Sequence, residues 1–234
     1  MIVLHQFDSV YGLPNASPFC MKLEGFLRMT GLPYRIESVH DLASAPKGKA
    51  PFVDLDGERI GDSELAMRAL ERRHGIDLDR DLSPAERAVA QAFRVMLEER
   101  TYFALLHERW IEERNWPLVR DGYLGDLPAP VQDAIRDGCR VRIAAQGLGA
   151  HTPEEIQELA ISDIDALAAW LDRKPYFMGD APTRADCTVH AFVCNLLGGP
   201  FVTPLRDAAQ GHVNLVAYND RMLERYWGRS AAAG

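Results

Sequence analysis

The sequence predicts a small mixed α/β unit followed by an all-helical unit. Three observations carry this. Up to about residue 75 the apolar period switches between strand and helix, segment by segment. Residues 76–84, IDLDRDLSP, are short, polar and carry a proline, which suits a linker. Beyond that point the apolar residues recur at helical spacing. The expected division is a first domain over 1–75, a linker over 76–83, a helical domain over 84–227 and a frayed tail over 228–234, and 234 residues exceed the size at which one core is the rule.

Element by element, MIVLHQF is a short apolar run suited to a buried strand, and VYGLPNAS breaks it with Gly, Pro and Asn. A helix then opens at SPFC. Ser17 is a good N-cap, Pro18 fits the first helical position, where no amide donor is needed, and Gly31 suits a left-handed stop. Phe19, Leu23, Phe26 and Leu27 make one buried stripe on it. LPYRIESV reads as a second strand, PFVDLDGERIG as a hairpin turning at Asp56 and Gly57, and DSELAMRALERRHG as a helix begun by Asp62 and ended by Gly75. A parallel βαβ unit, a hairpin and a covering helix make one α/β layer. In the second unit helices are expected over 84–115, ending before Pro117, and over 131–147, 153–173, 184–197 and 213–227.

Composition narrows the function classes. With 34 acidic against 26 basic side chains the net charge is −8, which repels nucleic-acid phosphates and anionic lipid, so neither nucleic acid nor membrane is expected as a partner. No apolar run approaches a bilayer span, and the N-terminus lacks a basic stretch ahead of a long apolar one, so a cytoplasmic protein is expected. The four cysteines, at 20, 139, 187 and 194, show no CxxC spacing, and the histidines form no HxxxH pair, which predicts reduced thiols and no metal.

The segment KAPFVDLDGERIGDSELAMRAL, with its residue–Pro pair opening a strand and its acidic–Ser pair opening a helix, resembles the glutathione segment of the glutathione transferase superfamily. PTRADCTVHAFV is similar to the Ser/Thr-xx-Asp capping box that starts the buried helix of that family's second domain. SPFCMKLEGFLRMTGLPY and GPFVTPLRDAAQGHVNLVAYNDRMLERYW are similar to the failed-axon-connections and metaxin-like branch, and the resemblance spans roughly residues 5–226. It implies a thioredoxin-like N-terminal domain, a helical C-terminal domain, glutathione as co-substrate, a small electrophilic molecule or a peroxide as its target, a detoxification role and a homodimer.

Glutathione must lose its thiol proton to attack, and a free thiol with a pKa of about 8.5 is mostly protonated at neutral pH. A hydroxyl at a helix N-terminus, backed by unpaired amides, favours the thiolate, and Ser17 occupies this place as the expected catalytic residue. Its alternative role is a plain N-cap. Cys20 stands where the second thiol of a redox motif would be, and the expectation is that it packs. On the resemblance, Ala50–Pro51 is cis and turns the Ala50 backbone toward the cysteinyl part of glutathione. Asp62 and Ser63, at the next helix start, would meet the γ-glutamyl ammonium and carboxylate. Lys49, with Lys47 and His40 as substitutes, would meet the glycyl carboxylate, and Tyr11, Trp110 and Trp116 would wall the electrophile. Thr183 and Asp186 are assigned to structure as a capping box, and His190 as a satisfied core histidine. Two rival functions stand beside the transferase: a non-catalytic docking module, and a thiol reductase using an exposed Cys20.

Overall fold

The computed structural model describes residues 1–228, so the tail expected over 228–234 lies, past Gly228, outside the described residues. The first unit holds β1 (Ile2–Gln6), α1 (Pro18–Thr30), β2 (Tyr34–Ser38), β3 (Phe52–Leu55), β4 (Glu58–Gly61) and α2 (Ser63–His74). The sheet order is β2-β1-β3-β4, with β1 parallel to β2 and antiparallel to β3, and β3 antiparallel to β4. This is the expected βαβ-ββα layer. The hairpin turns through Asp56 and Gly57, both at positive φ, as a tight turn matching strand twist requires. Helix α1 starts at the Ser17 cap and stops at Gly31 (φ 68). Its Leu23, Phe26 and Leu27 are fully buried against Leu4 and Val53 of the sheet and Met67 and Leu70 of α2. Each such side chain withdrawn from water contributes roughly 1.5–3 kcal/mol.

The helical unit begins at the Ser83 capping box. Helix α3 (Pro84–Met96) runs on through a π-helical turn (Leu97–Thr101), α4 (Tyr102–Leu106) and a second π-helical turn (His107–Ile111). It stops at Ile111, short of the expected 115, where Glu112 takes up an extended conformation. Pro117 does not only break the helix; it lies in the first turn of a new one, α5 (Trp116–Tyr123), because proline's missing amide costs nothing there. Helices α6 (Ala129–Gln146), α7 (Pro153–Leu171), α8 (Arg184–Leu197) and α10 (Val213–Trp227) follow the expected spans closely, while α9 (Pro204–Gly211) has no counterpart among them.

Helix α8 is buried along nearly its whole length and packs on α1, so it joins the two units. Its Cys187 sits in the apolar core of the first unit. At its start, Asp186 is fully buried and accepts from Thr183 N (2.7 Å), Thr183 Oγ1 (3.1 Å), Phe177 N (2.9 Å) and Tyr218 Oη (2.9 Å). The capping box is therefore also a hub for α10. His190 differs from expectation. It is buried, but its Nε2 finds no hydrogen-bond partner among the described residues, and burial pushes the imidazole down to about 3. It is a neutral core ring lying 5.0 Å from Trp227, centroid to centroid.

Candidate functional site

Strand register decides what meets at the site. His5, near the end of β1, pairs with Phe52 at the start of β3, and Phe52 pairs with Gly61 at the end of β4. Whatever follows β1, precedes β3 or follows β4 must therefore leave from one end of the sheet. Those three places hold the α1 tip with Ser17, the Ala50–Pro51 bond and the α2 tip with Asp62 and Ser63.

The α1 tip is fixed from several sides. Ser17 Oγ accepts from Cys20 N at 3.4 Å, a long bond for a cap, and Ser17 itself is half-buried. Ser17 N donates to Asn15 Oδ1 (2.9 Å), and Asn15 Nδ2 donates to Phe7 O (2.7 Å). From the helical unit, Asn195 Nδ2 donates to Asn15 O (3.1 Å) and Arg109 to Ala16 O (3.1 Å). Cys20 is fully buried, and burial pushes its thiol up to about 11 against the opposing pull of hydrogen bonds from Ser17 and the Phe7 backbone. An attacking thiol needs the opposite environment.

Ala50–Pro51 is cis. Pro51 is buried and Ala50 half-buried, while Lys49 and Lys47 are exposed, and Lys49 makes no side-chain contact with a charged group among the described residues. His40 is exposed and lies 3.9 Å from Asp8. The turn Pro46–Gly48 carrying Lys47 packs on Gly61, where a Cβ would come within 2.6 Å of the Pro46 side chain; only glycine admits that approach.

Asp62 takes φ 82, rare for a non-glycine residue, and its Oδ1 accepts from Glu64 N (2.9 Å) and Leu65 N (3.0 Å). Ser63 is buried beside it. Behind this tip lies an ion lattice. Lys22 of α1, wholly buried, donates to Glu64 (3.1 Å) and Glu98 (2.6 Å), and Arg184 of α8 donates to Glu64 (2.8 Å). Burial alone would raise the Glu64 carboxyl, but Lys22, Arg184 and Arg94 outweigh it and hold the group at about 2. The α2 start is thus tied to α1, α3 and α8 by charge.

The aromatic wall is wider than the sequence suggested. Tyr11 stands edge-on to Tyr123 (5.5 Å) and Phe201 (5.4 Å), and Trp110 stacks on Tyr123 (5.9 Å). Trp116 lies buried in the same cluster, 6.4 Å from Trp110 and under the Arg136 guanidinium at 4.6 Å. Tyr11 is not poised over the groove as a donor, because its hydroxyl donates to Leu118 O and the ring lies against Gly122. Tyr123, Phe201 and Arg109 were not among the expected site residues. The signal that could have marked Arg109 is its place beside Trp110, on the edge of an apolar stripe.

The N-terminal layer with a cis proline, a capped helix after the first strand and a helical second unit defines a protein of the glutathione transferase kind. The match to known proteins agrees. Residues 18–115 match the glutathione S-transferase N-terminal domain model and residues 160–222 the glutathione S-transferase C-terminal domain model. The isoprene-epoxide–glutathione S-transferase of Rhodococcus sp. (strain AD45) is 31% identical over 97% of this chain and 99% of its own. The failed axon connections protein of Drosophila melanogaster is 30% identical over 96% of this chain, which spans 58% of that longer protein. A glutathione transferase of Populus trichocarpa shares the fold with a TM-score of 0.62, at 15% identity over 97% of both chains. The chain belongs to the glutathione transferase superfamily, on its failed-axon-connections and metaxin-like branch.

Proposed function

We propose that this chain binds glutathione across the end of the sheet where β3 begins and presents its thiolate to a small electrophile. The observation that supports this most is the convergence of the Ser17 tip, the cis Ala50–Pro51 bond and the Asp62–Ser63 tip on one end of the sheet. In this reading the Ala50 backbone pairs with the cysteinyl part of the tripeptide like an added strand. The α2 amides and Ser63 take the γ-glutamyl carboxylate, while the Asp62 oxygen not used in capping takes the ammonium. Lys49 reaches the glycyl carboxylate, and Ser17 donates its hydroxyl to the sulfur. The similarity to an isoprene-epoxide transferase favours a strained cyclic ether as the electrophile: the sulfur–carbon bond forms as the carbon–oxygen bond breaks, and the oxygen leaves as an alkoxide that takes up a proton. A cytoplasmic homodimer with a detoxifying role completes the proposal.

Two rivals fare differently. A reductase using Cys20 requires an exposed thiol, and this one is buried with its proton held tightly. A docking module is favoured by the similarity to failed axon connections and metaxin proteins, whose names carry no transferase activity. Calorimetric titration of the wild type and Ser17→Ala with glutathione, alongside turnover of an epoxide, separates it from the enzyme. The expected result is saturable binding by both and a turnover loss on the order of 10²-fold in the variant, the usual effect of removing one donor to a developing or stabilised anion. Absence of binding by the wild type at millimolar glutathione would overturn the transferase reading and favour the docking module.

A further inference from the structure

Arg109 is 4% exposed, and no carboxylate lies within ion-pair distance of it among the described residues. Its partners are neutral: NH1 donates to Ala16 O (3.1 Å) and to Asn195 Oδ1 (3.1 Å), NH2 donates to Asn195 O, and the guanidinium covers the Phe201 ring at 4.7 Å. Burying a cation without a counter-charge is costly, and arginine does not escape the cost by losing its proton. The tyrosines that face it from neighbouring elements do not supply a negative charge at neutral pH. Burial pushes Tyr123 of α5 up to about 12 and also raises Tyr11 of the β1–α1 loop and Tyr102 of α4, and the remaining facing group is the Cys194 side chain of α8. The other arginines that are buried or partly buried at the junction of the units, Arg94 and Arg184, each have a carboxylate. Arg109 does not, and it is bonded to the carbonyl directly before the Ser17 cap.

We propose that Arg109 is the buried counter-cation of the glutathione thiolate: a positioning residue that holds the Ala16 carbonyl and supplies the positive field under the α1 tip. The proposal rests on the glutathione reading and adds what makes that tip electropositive. A helix start and one hydroxyl supply partial charges, whereas the guanidinium supplies a full one on the far side of a single peptide group. With the charge 3.1 Å from Ala16 O, one residue of chain, about 3.8 Å, between that peptide and Ser17, and a hydrogen bond of about 3 Å from Ser17 to the sulfur, the sulfur lies about 10 Å from it. At an effective dielectric of about 20–40 that separation lowers the pKa of the bound thiol by about half a unit to one unit.

The test is the ultraviolet thiolate absorbance of the glutathione complex as a function of pH, in the wild type, Arg109→Gln and Asn195→Asp, with binding of S-methylglutathione as the control that has no ionisable sulfur. Asn195→Asp keeps the arginine and places a carboxylate on it, giving up the Asn195 donations to Asn15 O and Ala191 O, so it cancels the field even if Arg109→Gln does not fold. Both variants are expected to raise the pKa of the bound thiol by about half a unit to one unit, leaving S-methylglutathione affinity unchanged. A thiol that titrates as in the wild type in either folded variant, with S-methylglutathione still bound, overturns the role of Arg109 alone. A wild type that does not bind S-methylglutathione overturns the glutathione reading and this proposal with it.

Discussion

Replacing Asp186 by Ala should unfold the protein far more readily without weakening the glutathione groove. The carboxylate is fully buried and accepts four hydrogen bonds. The Thr183 hydroxyl can rotate to another acceptor, but the Phe177 and Thr183 amides and the Tyr218 hydroxyl cannot, since Phe177 and Tyr218 are themselves fully buried. Three stranded donors at about 1–3 kcal/mol each, with the small void added, give a loss of about 5 kcal/mol. That is a large share of the roughly 5–15 kcal/mol a domain possesses, and for a chain of this length it corresponds to a fall in Tm of about 10–20 °C. Asp186→Asn keeps one carbonyl acceptor and should lose about half as much, and Tyr218→Phe about 1 kcal/mol. Urea unfolding of the three variants, with S-methylglutathione titration of the folded protein, measures both sides of the claim. A loss under about 1.5 kcal/mol for Asp186→Ala at unchanged m would refute the accounting of donors. Groove binding lost in step with stability would refute the separation of cap and site.

Cys20 should resist alkylation in the native protein at neutral pH and react only after denaturant is added, as followed by mass spectrometry; rapid native labelling would contradict both its burial and its raised pKa. In Gly122→Ala the new Cβ would overlap the Tyr11 ring and hydroxyl, so the variant should lose about 1–3 kcal/mol, and the double variant with Tyr11→Ala should be no less stable than Tyr11→Ala alone. Additive losses in thermal melts would show that Gly122 acts elsewhere. Glu64 has its carboxyl held at about 2 against an ordinary 4.5, so its contribution to stability is complete above the upper value and is lost as pH falls toward the lower. Urea midpoints of Glu64→Gln should accordingly be flatter than those of the wild type across that window, and parallel curves would remove Glu64 from the acid response.

What the sequence made legible was what is written in local chemistry. Ser17 ahead of Pro18, Gly31, the Asp56–Gly57 turn and the Thr183–Asp186 box each dictate a backbone conformation within a few residues, and the caps and turns appear there. Helices α5 and α9 are hard to see in the sequence because each is eight residues long with a proline in its first turn, a residue that marks a break as readily as a start. The Ser17, Pro51 and Asp62 neighbourhoods were legible through their spacing, but their meeting depends on strand register. Arg109 was hidden for a different reason. Two π-helical turns, at Leu97–Thr101 and His107–Ile111, each admit an extra residue per turn, so the facing of later side chains departs from the 3.6-residue period. A reading at constant period cannot place a charge inward there, nor could it place Lys22 and Glu98 in contact across 76 residues of chain.

Because α8 lends Cys187 to the oily interior beneath the sheet, and the π-helical turn after α3 and helix α8 furnish the carboxylate and guanidinium that satisfy Lys22 and Glu64, neither half is a self-sufficient module. A truncation at the polar stretch around residue 80 would take Glu98 from Lys22 and Arg184 from Glu64 and open a hole under the strands. Swapping halves between relatives would meet the same obstacle, so recombination that respects the seam must carry α8 along with the front half.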